Sequence, residues 1–230
     1  MQASEIISDC RFELLEPIPG FWTDAELLNQ INKAQQDYVN QTRILESEAT
    51  MDTEAGRNSY VLPDDWLSTK AAFYNLDAPA VNPDVKGWRR LDASNLEKTG
   101  QQAPNFLTTR VEEWGDPSKY FIWGRNMMLV PTPKEDGHSI RIYYKSKAPN
   151  VTDVAASIAI DDSLAGAIRA WVLWKAWTKE KEFELAQREE ARYERYVRAG
   201  LRFVKLQAGD RANQIDLRTS SEFTQNGQWA

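Results

Sequence analysis

Hydrophobic positions recur with helical spacing at the start of the chain. Between residues 4 and 16 the apolar side chains follow one another at intervals of three, four and seven, as on one buried helix face. A second helix is predicted over residues 23–45, because Thr23 and Glu26 have the spacing of a capping box. The first part of the chain therefore predicts two helices of a bundle.

The helical pattern returns after residue 160 and continues to about residue 206. A single helix over this whole region would be unusually long for a globular protein, so we expect a turn in the charged stretch 179–182. The second half of this region carries arginines at intervals of three or four, interleaved with glutamates. Such mixed charge favours a solvated helix with internal ion pairs or a subunit interface, and direct reading of DNA is the weaker hypothesis.

The middle of the chain changes to the two-residue period of β-strands. Residues 139–145 alternate in character, and residues 120–123 and 127–130 flank a glycine-containing turn that predicts a hairpin. Residues 59–63 predict a short strand that ends at proline. Residues 46–58 are acidic and small, which predicts a mobile loop. Weaker strand predictions fall on residues 66–76 and 88–91.

These elements predict an α+β fold that is mainly helical. The chain is expected to divide into four segments. The N-terminal helices of a bundle occupy residues 1–45, and its C-terminal helices occupy residues 159–207. An inserted, small antiparallel β region with long loops occupies residues 46–158, and residues 208–230 form an extended C-terminal tail.

Composition narrows the class of protein. Apolar residues make up 42% of the chain and charged residues 27%, as in an ordinary folded protein. Apolar runs stay far below the roughly 18 residues of a membrane span, and the first residues lack a signal-peptide pattern. The net charge of −6 argues against a basic face that holds nucleic acid tightly. An acidic surface nevertheless suits a channel through which DNA slides.

Candidate catalytic and metal-binding residues are few. His138 and Cys10 are the single histidine and the single cysteine, so one chain has too few nitrogen and sulfur ligands for a zinc site. We expect His138 to lie exposed in a turn and Cys10 to be a buried, unreactive thiol. The pairs Asp64–Asp65 and Asp161–Asp162 stand where turns and helix caps use aspartate. The sequence therefore predicts no catalytic residue, no metal and no cofactor.

Candidate contact residues come from two features of the sequence. Nine tryptophans are many for 230 residues, and an aromatic core or protein interfaces would explain them. The candidates for a subunit interface are Trp174, Arg188, Arg192 and Arg195. Residues 208–230 are polar and aperiodic, which predicts either a disordered end or an arm that orders on a partner. The apolar residues of this segment are Ile215, Leu217, Phe223 and Trp229.

Several motifs follow one another in an order that matches a known family. They are Phe21–Gln35 (FWTDAELLNQINKAQ), Tyr60–Trp66 (YVLPDDW), Met128–Pro133 (MLVPTP), Ile140–Lys145 (IRIYYK) and the helix Ala165–Trp177, which is rich in alanine and tryptophan. In this order they resemble the head-to-tail adaptor proteins of tailed bacteriophages, over about residues 4–205.

The resemblance implies a structural role in the neck of the virion, after assembly in the cytoplasm of the host bacterium. Proteins of this family form a ring, commonly of twelve copies, beneath the portal protein. The ring extends the DNA channel without binding a DNA sequence, and it docks tail or nozzle proteins. The C-terminal segment often reaches onto the portal, which would make Ile215, Leu217, Phe223 and Trp229 portal-docking residues.

Other hypotheses stay open at this level. One is a different ring component of the phage neck or tail. A second is a receptor- or glycan-binding module, suggested by Trp88 and Trp114, although helices at both ends of the chain count against it. A hydrolase is the least supported hypothesis.

Overall fold

The computed structural model describes residues 1–76, 87–102, 111 and 114–207. The chain divides into two compact units. The first comprises Met1–Ile44 and the described chain from Ala148 onward, and the second comprises Leu45–Lys147. Residues 148–158, which the sequence pattern grouped with the β region, lie in the first unit.

The described residues form five α-helices, a short 3-10 helix at Asp162–Leu164 and seven strands. The helices are α1 (Ala3–Glu13), α2 (Asp24–Thr42), α3 (Leu96–Gln102), α4 (Ala165–Glu180) and α5 (Phe183–Gln207). The strands are β1 (Glu46–Asp52), β2 (Ser59–Val61), β3 (Trp66–Asn75), β4 (Trp88–Ala93), β5 (Lys119–Trp123), β6 (Asn126–Val130) and β7 (Ser139–Ser146). Among the described helices, none combines the length and the apolar character that crossing a bilayer requires.

Local sequence determines where the helices of the first unit begin and end. The Thr23 hydroxyl accepts a hydrogen bond from the Glu26 backbone N–H at 3.2 Å, and the Glu26 carboxylate accepts one from the Thr23 N–H at 3.1 Å. The predicted capping box at the start of α2 is therefore confirmed. The predicted break near residues 179–182 is also confirmed, because Lys181 adopts a left-handed conformation (φ 65°) between α4 and α5.

The first unit has an apolar core between its helices. Ile6 of α1, Leu27, Ile31 and Tyr38 of α2, and Ile168 of α4 are fully buried. Burying an aliphatic side chain of this size stabilises the folded state by about 1.5–3 kcal/mol. The apolar stripes that predicted these helices are thus the faces that meet in the core.

Two amides of α2 hold the chain where it re-enters the first unit. Asn32 donates from Nδ2 to the Val151 carbonyl at 2.9 Å and accepts from the Val151 N–H at 2.7 Å. The fully buried Gln35 accepts from the Ala159 N–H at 2.9 Å. These bonds satisfy backbone groups of a segment that has no regular secondary structure of its own.

The described strands of the second unit form one sheet in the order β1-β7-β3-β4-β5-β6-β2. Adjacent strands are antiparallel, except β4 and β5, which pair in parallel over two residues. The predicted hairpin is confirmed as β5–β6, with Gly124 at φ +60° in its two-residue turn. The predicted strand β7 buries Ile140, Ile142 and Tyr144, which join the core of the sheet.

The prediction of a mainly helical fold is wrong, because the second unit is built on this seven-stranded sheet. Two features hid the sheet. The register of β3 against β7 shifts between Trp66 and Ser68 and again between Thr69 and Ala71, which interrupts the two-residue alternation. The loop predicted over residues 46–58 is also wrong, since it contains β1. This edge strand is mostly small or polar, with Met51 as its one large apolar residue, and its hydrogen bonds come from β7.

Replacement of glycine by alanine is expected to have opposite effects on stability at two helical positions. In Gly200→Ala the new methyl group would overlap the hydroxyl of the fully buried Tyr38 and lie 3.0 Å from Thr42 Cγ2. Overpacking of this kind costs about 1–3 kcal/mol and outweighs the gain in helix propensity. We expect chemical denaturation to report a lower free energy of unfolding for the first unit.

Gly100→Ala in α3 is the matched control, since the added methyl group meets no atom within 4 Å. We expect this substitution to raise stability by up to about 1 kcal/mol. Stabilisation by Gly200→Ala would contradict the packing of α5 on Tyr38.

Candidate interaction surfaces

The single histidine is part of the core of the second unit. His138 is buried, its ring stacks on Tyr74 at 5.4 Å, and its Nδ1 lies 2.9 Å from the Asn75 carbonyl oxygen. The expectation of an exposed turn residue is therefore wrong. The turn before β7 folds back so that the Thr53 N–H donates to the His138 carbonyl at 2.7 Å. These contacts give the side chain a structural role.

Cys10 is buried on the apolar face of α1, as the helical stripe predicted. Burial raises the pKa of its thiol to about 12, so the reactive thiolate is a negligible fraction at neutral pH. The prediction of an unreactive thiol agrees with this environment.

The two aspartate pairs serve turns and caps. Asp64 pairs with Arg125, whose hydrogen bond and charge lower the pKa of this carboxyl group. Asp65 accepts a hydrogen bond from the Tyr144 hydroxyl at 2.9 Å. Asp161 caps the turn before α4 by accepting from the Ser163 N–H at 2.9 Å, and Asp162 pairs with the N-terminal ammonium group. In the described part of the chain, no group of three or more His, Cys, Asp or Glu side chains could hold a metal ion.

The tryptophans that suggested a glycan site are packed within the second unit. Trp88 is half-buried, and the Arg141 guanidinium lies 4.6 Å from the centre of its ring. The Trp114 ring lies against Gly56, where a side chain would clash with it at 2.6 Å. Gly56 adopts φ +77°, so the local backbone also favours glycine.

An aromatic groove lies between α2, α4 and α5 in the first unit. Its volume is about 480 Å³, and its lining residues are Asp37, Gln41, Trp171, Trp174, Glu190, Tyr193, Glu194, Val197 and Arg198. The rings of Trp171 and Trp174 meet edge to face at 5.1 Å, and the Trp171 and Tyr193 rings are also 5.1 Å apart. The predicted interface residue Trp174 therefore belongs to a cluster of three aromatic rings.

Charged groups hold this aromatic cluster in place. The Lys175 ammonium lies 3.3 Å from the centre of the Trp174 ring, within cation–π range. The Tyr193 hydroxyl donates to Asp37 Oδ2 at 2.5 Å. Burial, together with this hydrogen bond to a carboxylate, raises the pKa of Tyr193 far above its usual range. The tyrosine therefore stays neutral, and its hydroxyl donates the hydrogen bond to Asp37.

The three predicted interface arginines follow one another along α5. Arg188 and Arg192 lie 3.4 and 3.5 Å from the carboxylate of Glu189, which is buried. Arg195 is exposed, and its Nε donates to the Ala191 carbonyl at 3.4 Å. The structure thus joins two of the arginines around one carboxylate, separate from the groove that contains Trp174. The four predicted portal-docking residues, Ile215, Leu217, Phe223 and Trp229, lie outside the described residues.

The sequence patterns did not single out an apolar ledge at one end of the first unit. It comprises Phe12 in the last turn of α1, Leu15, Ile18 and Phe21 in the connection between α1 and α2, and Phe183 at the start of α5. All five side chains are more than half exposed, and Leu15 reaches 87% in a left-handed conformation (φ 57°). The helical stripe assigned Leu15 to a buried face, but α1 ends at Glu13.

These features together indicate a class of protein. The titratable groups described above serve caps, ion pairs and cores, and an apolar ledge and an aromatic groove lie at the surface, as in a structural assembly protein. A family model described as SU10 adaptor protein matches residues 1–219. The chain therefore belongs to the SU10 adaptor protein family, a family of phage head-to-tail adaptors. No curated protein matches the chain.

The resemblance found in the sequence motifs is thus confirmed at the level of the family. Membership implies a structural component of the virion neck that associates with portal and tail proteins. Families of this kind are generally not enzymes.

The Tyr193–Asp37 hydrogen bond predicts a measurable contribution to stability. Tyr193→Phe keeps the ring and removes the donor, so a partly buried charge-assisted hydrogen bond is lost. We expect the free energy of unfolding to fall by about 1–2 kcal/mol in urea denaturation.

Tyr196→Phe on the same helix is the control, because its hydroxyl makes no hydrogen bond among the described residues. A change below about 0.5 kcal/mol is expected there. Equal losses in the two variants would contradict the assignment of the bond to Asp37.

Proposed function

We propose that this chain forms a ring beneath the portal of a tailed phage, extends the DNA channel and docks tail components. The match of the adaptor family over residues 1–219 carries the proposal. Twelve copies is the number expected from the family resemblance. The proposal makes the chain a mechanical connector, which needs binding surfaces and a stable fold rather than a catalytic centre.

The exposed surfaces support an assembly role. A ring of identical subunits needs two different complementary patches on each copy. The first unit carries several candidate patches, which are the apolar ledge, the aromatic groove with Trp174, and the exposed arginines of α5. We propose that Arg188, Arg192, Arg195 and Trp174 contribute to subunit contacts.

Net charge supports passage of DNA without retention. At −6 the chain repels phosphate on average, and tight DNA-binding proteins usually owe much of their affinity to phosphate contacts. A channel lined by acidic or neutral residues would let the duplex slide during ejection.

Portal docking is the partner contact that we assign to residues 208–230. This segment is polar with a few apolar residues, of which Phe223 and Trp229 are the largest. Segments of this composition bind by inserting a small number of aromatic anchors into pockets of a folded partner.

Native mass spectrometry of the protein with and without the portal of its own phage tests the ring. We expect a closed ring of this chain on the portal, whether the free protein is monomeric or already oligomeric. A protein that stays monomeric and shows no complex with portal would contradict the proposed function and would direct attention to glycan binding.

The double variant Phe223→Ala with Trp229→Ala tests whether residues 208–230 dock on the portal. Loss of two aromatic anchors should weaken portal binding by about 100-fold or more, because each hot-spot truncation costs about 2 kcal/mol. Thermal unfolding should be unchanged. Thr219→Ala with Thr224→Ala is the matched control in the same segment. Normal portal binding by the aromatic variant would contradict the docking role.

A further inference from the structure

The two ends of α5 carry exposed apolar side chains with opposite surrounding charge. At its start lies the apolar ledge, where Phe12 is 81% and Phe183 is 67% exposed. At its end, Leu201, Phe203 and Leu206 are exposed, Leu206 at 75%. A helix of 25 residues spans about 37 Å, so these two apolar patches lie far apart on the first unit.

The ledge end is acidic. Residues 9–26 and 179–184 contain eight acidic and three basic side chains. Two of the three basic groups are engaged, since Arg11 pairs with Asp24 at 2.6 Å and Lys179 with Glu26 at 3.0 Å. Glu13, Glu182 and Glu184 are exposed and form no ion pair with any residue that the structure describes.

The shape of the ledge suits insertion of side chains from a partner. One depression of about 440 Å³ includes Phe12, Pro17 and Pro19 in its lining, and a second of about 530 Å³ includes Phe21 and Lys181. Apolar surface exposed in this way is unfavourable in water unless another surface covers it.

The far end of α5 is basic. Residues 191–207 contain five basic side chains and one acidic one, Glu194, which lies 3.8 Å from Arg198. Arg202 and Lys205 are exposed and form no ion pair within the described part of the chain. Their charges therefore border Leu201, Phe203 and Leu206 without an internal partner.

We propose that the acidic ledge of one copy binds the basic C-terminal end of α5 of a second copy. This inference rests on the proposed ring and names the surfaces that would close it. Ledge against ledge, or basic end against basic end, would bring like charges together. Only the unlike pair brings apolar side chains and opposite charges into contact at once. Such a contact uses different patches on the two copies, which is the geometry that generates rings.

Charge reversal at each end separately tests the contact. The ledge variant combines Glu13→Lys with Glu182→Lys, and the α5 variant combines Arg202→Glu with Lys205→Glu. Each should weaken assembly of the protein, alone or on portal, by about 100-fold or more, because like charges then face each other. Circular dichroism and thermal unfolding should report an intact fold, since all four side chains are exposed.

Matched controls reverse the same number of charges elsewhere. Glu48→Lys with Glu97→Lys corresponds to the ledge variant, and Lys33→Glu with Lys98→Glu corresponds to the α5 variant. These four side chains are exposed and lie outside both patches. Assembly of the two control variants should match that of the wild type.

Mixing the ledge variant with the α5 variant gives the decisive outcome. At the substituted positions the ledge variant presents lysines and the α5 variant presents glutamates. The altered ledge of the first variant therefore complements the altered α5 end of the second, and their unchanged patches complement each other, so the two should alternate and assemble together. The chain that carries all four substitutions should also assemble alone. Native mass spectrometry distinguishes these species by mass.

Two outcomes would overturn the inference. If the wild type forms rings and the ledge and α5 variants form them equally well, the contact lies elsewhere and the proposed function stands. If each variant fails and the mixture also fails, the two patches do not meet. A wild type that never oligomerises, with or without portal, would contradict the proposed ring itself.

Discussion

The pairing of β1 with β7 is the interaction on which both units depend. The chain leaves the helical bundle after Ile44 and returns at Ala148, and the ladder from Glu46–Lys145 to Asp52–Ser139 brings these two points together. The Leu45 carbonyl accepts from the Ser146 N–H at 3.1 Å, and the Glu46 carboxylate accepts from Lys145 at 2.6 Å. Closing a flexible loop of about 100 residues would otherwise cost about 4 kcal/mol. The folded insertion therefore lets distant segments of sequence form one bundle.

The sequence revealed those elements whose determinants are local. The capping box of Thr23 and Glu26 and the alternation in β7 depend on neighbouring residues, and both are present as predicted. β1 depends on a partner strand more than 85 residues away, so its own composition carried little signal. His138 is buried by the same long-range folding. Among the surface residues, Trp174 was predicted and lies in an aromatic groove. The ledge was not predicted, because the helical pattern continues past Glu13, where α1 ends.

Net charge conceals how charge is distributed along this adaptor. The value of −6 describes the whole chain, yet α5 runs from an acidic end to a basic one. In the proposed ring, this uneven distribution would repel DNA on average and give each subunit complementary surfaces for its neighbours. The same helix also packs its Gly200 on Tyr38 of α2 and its Tyr193 against the groove tryptophans. The packing contacts of α5 thus involve side chains other than those of the proposed assembly contact.

The most direct measurement is a cryo-electron microscopy reconstruction of the virion neck that resolves side chains. We predict that this chain forms a ring between portal and tail, with Phe12 and Leu15 of each copy against Leu206 and Arg202 of the next. A neck that lacks the chain would contradict its role as the adaptor. A ring in which neighbouring copies meet through other surfaces would contradict the contact between the acidic ledge and the basic end of α5.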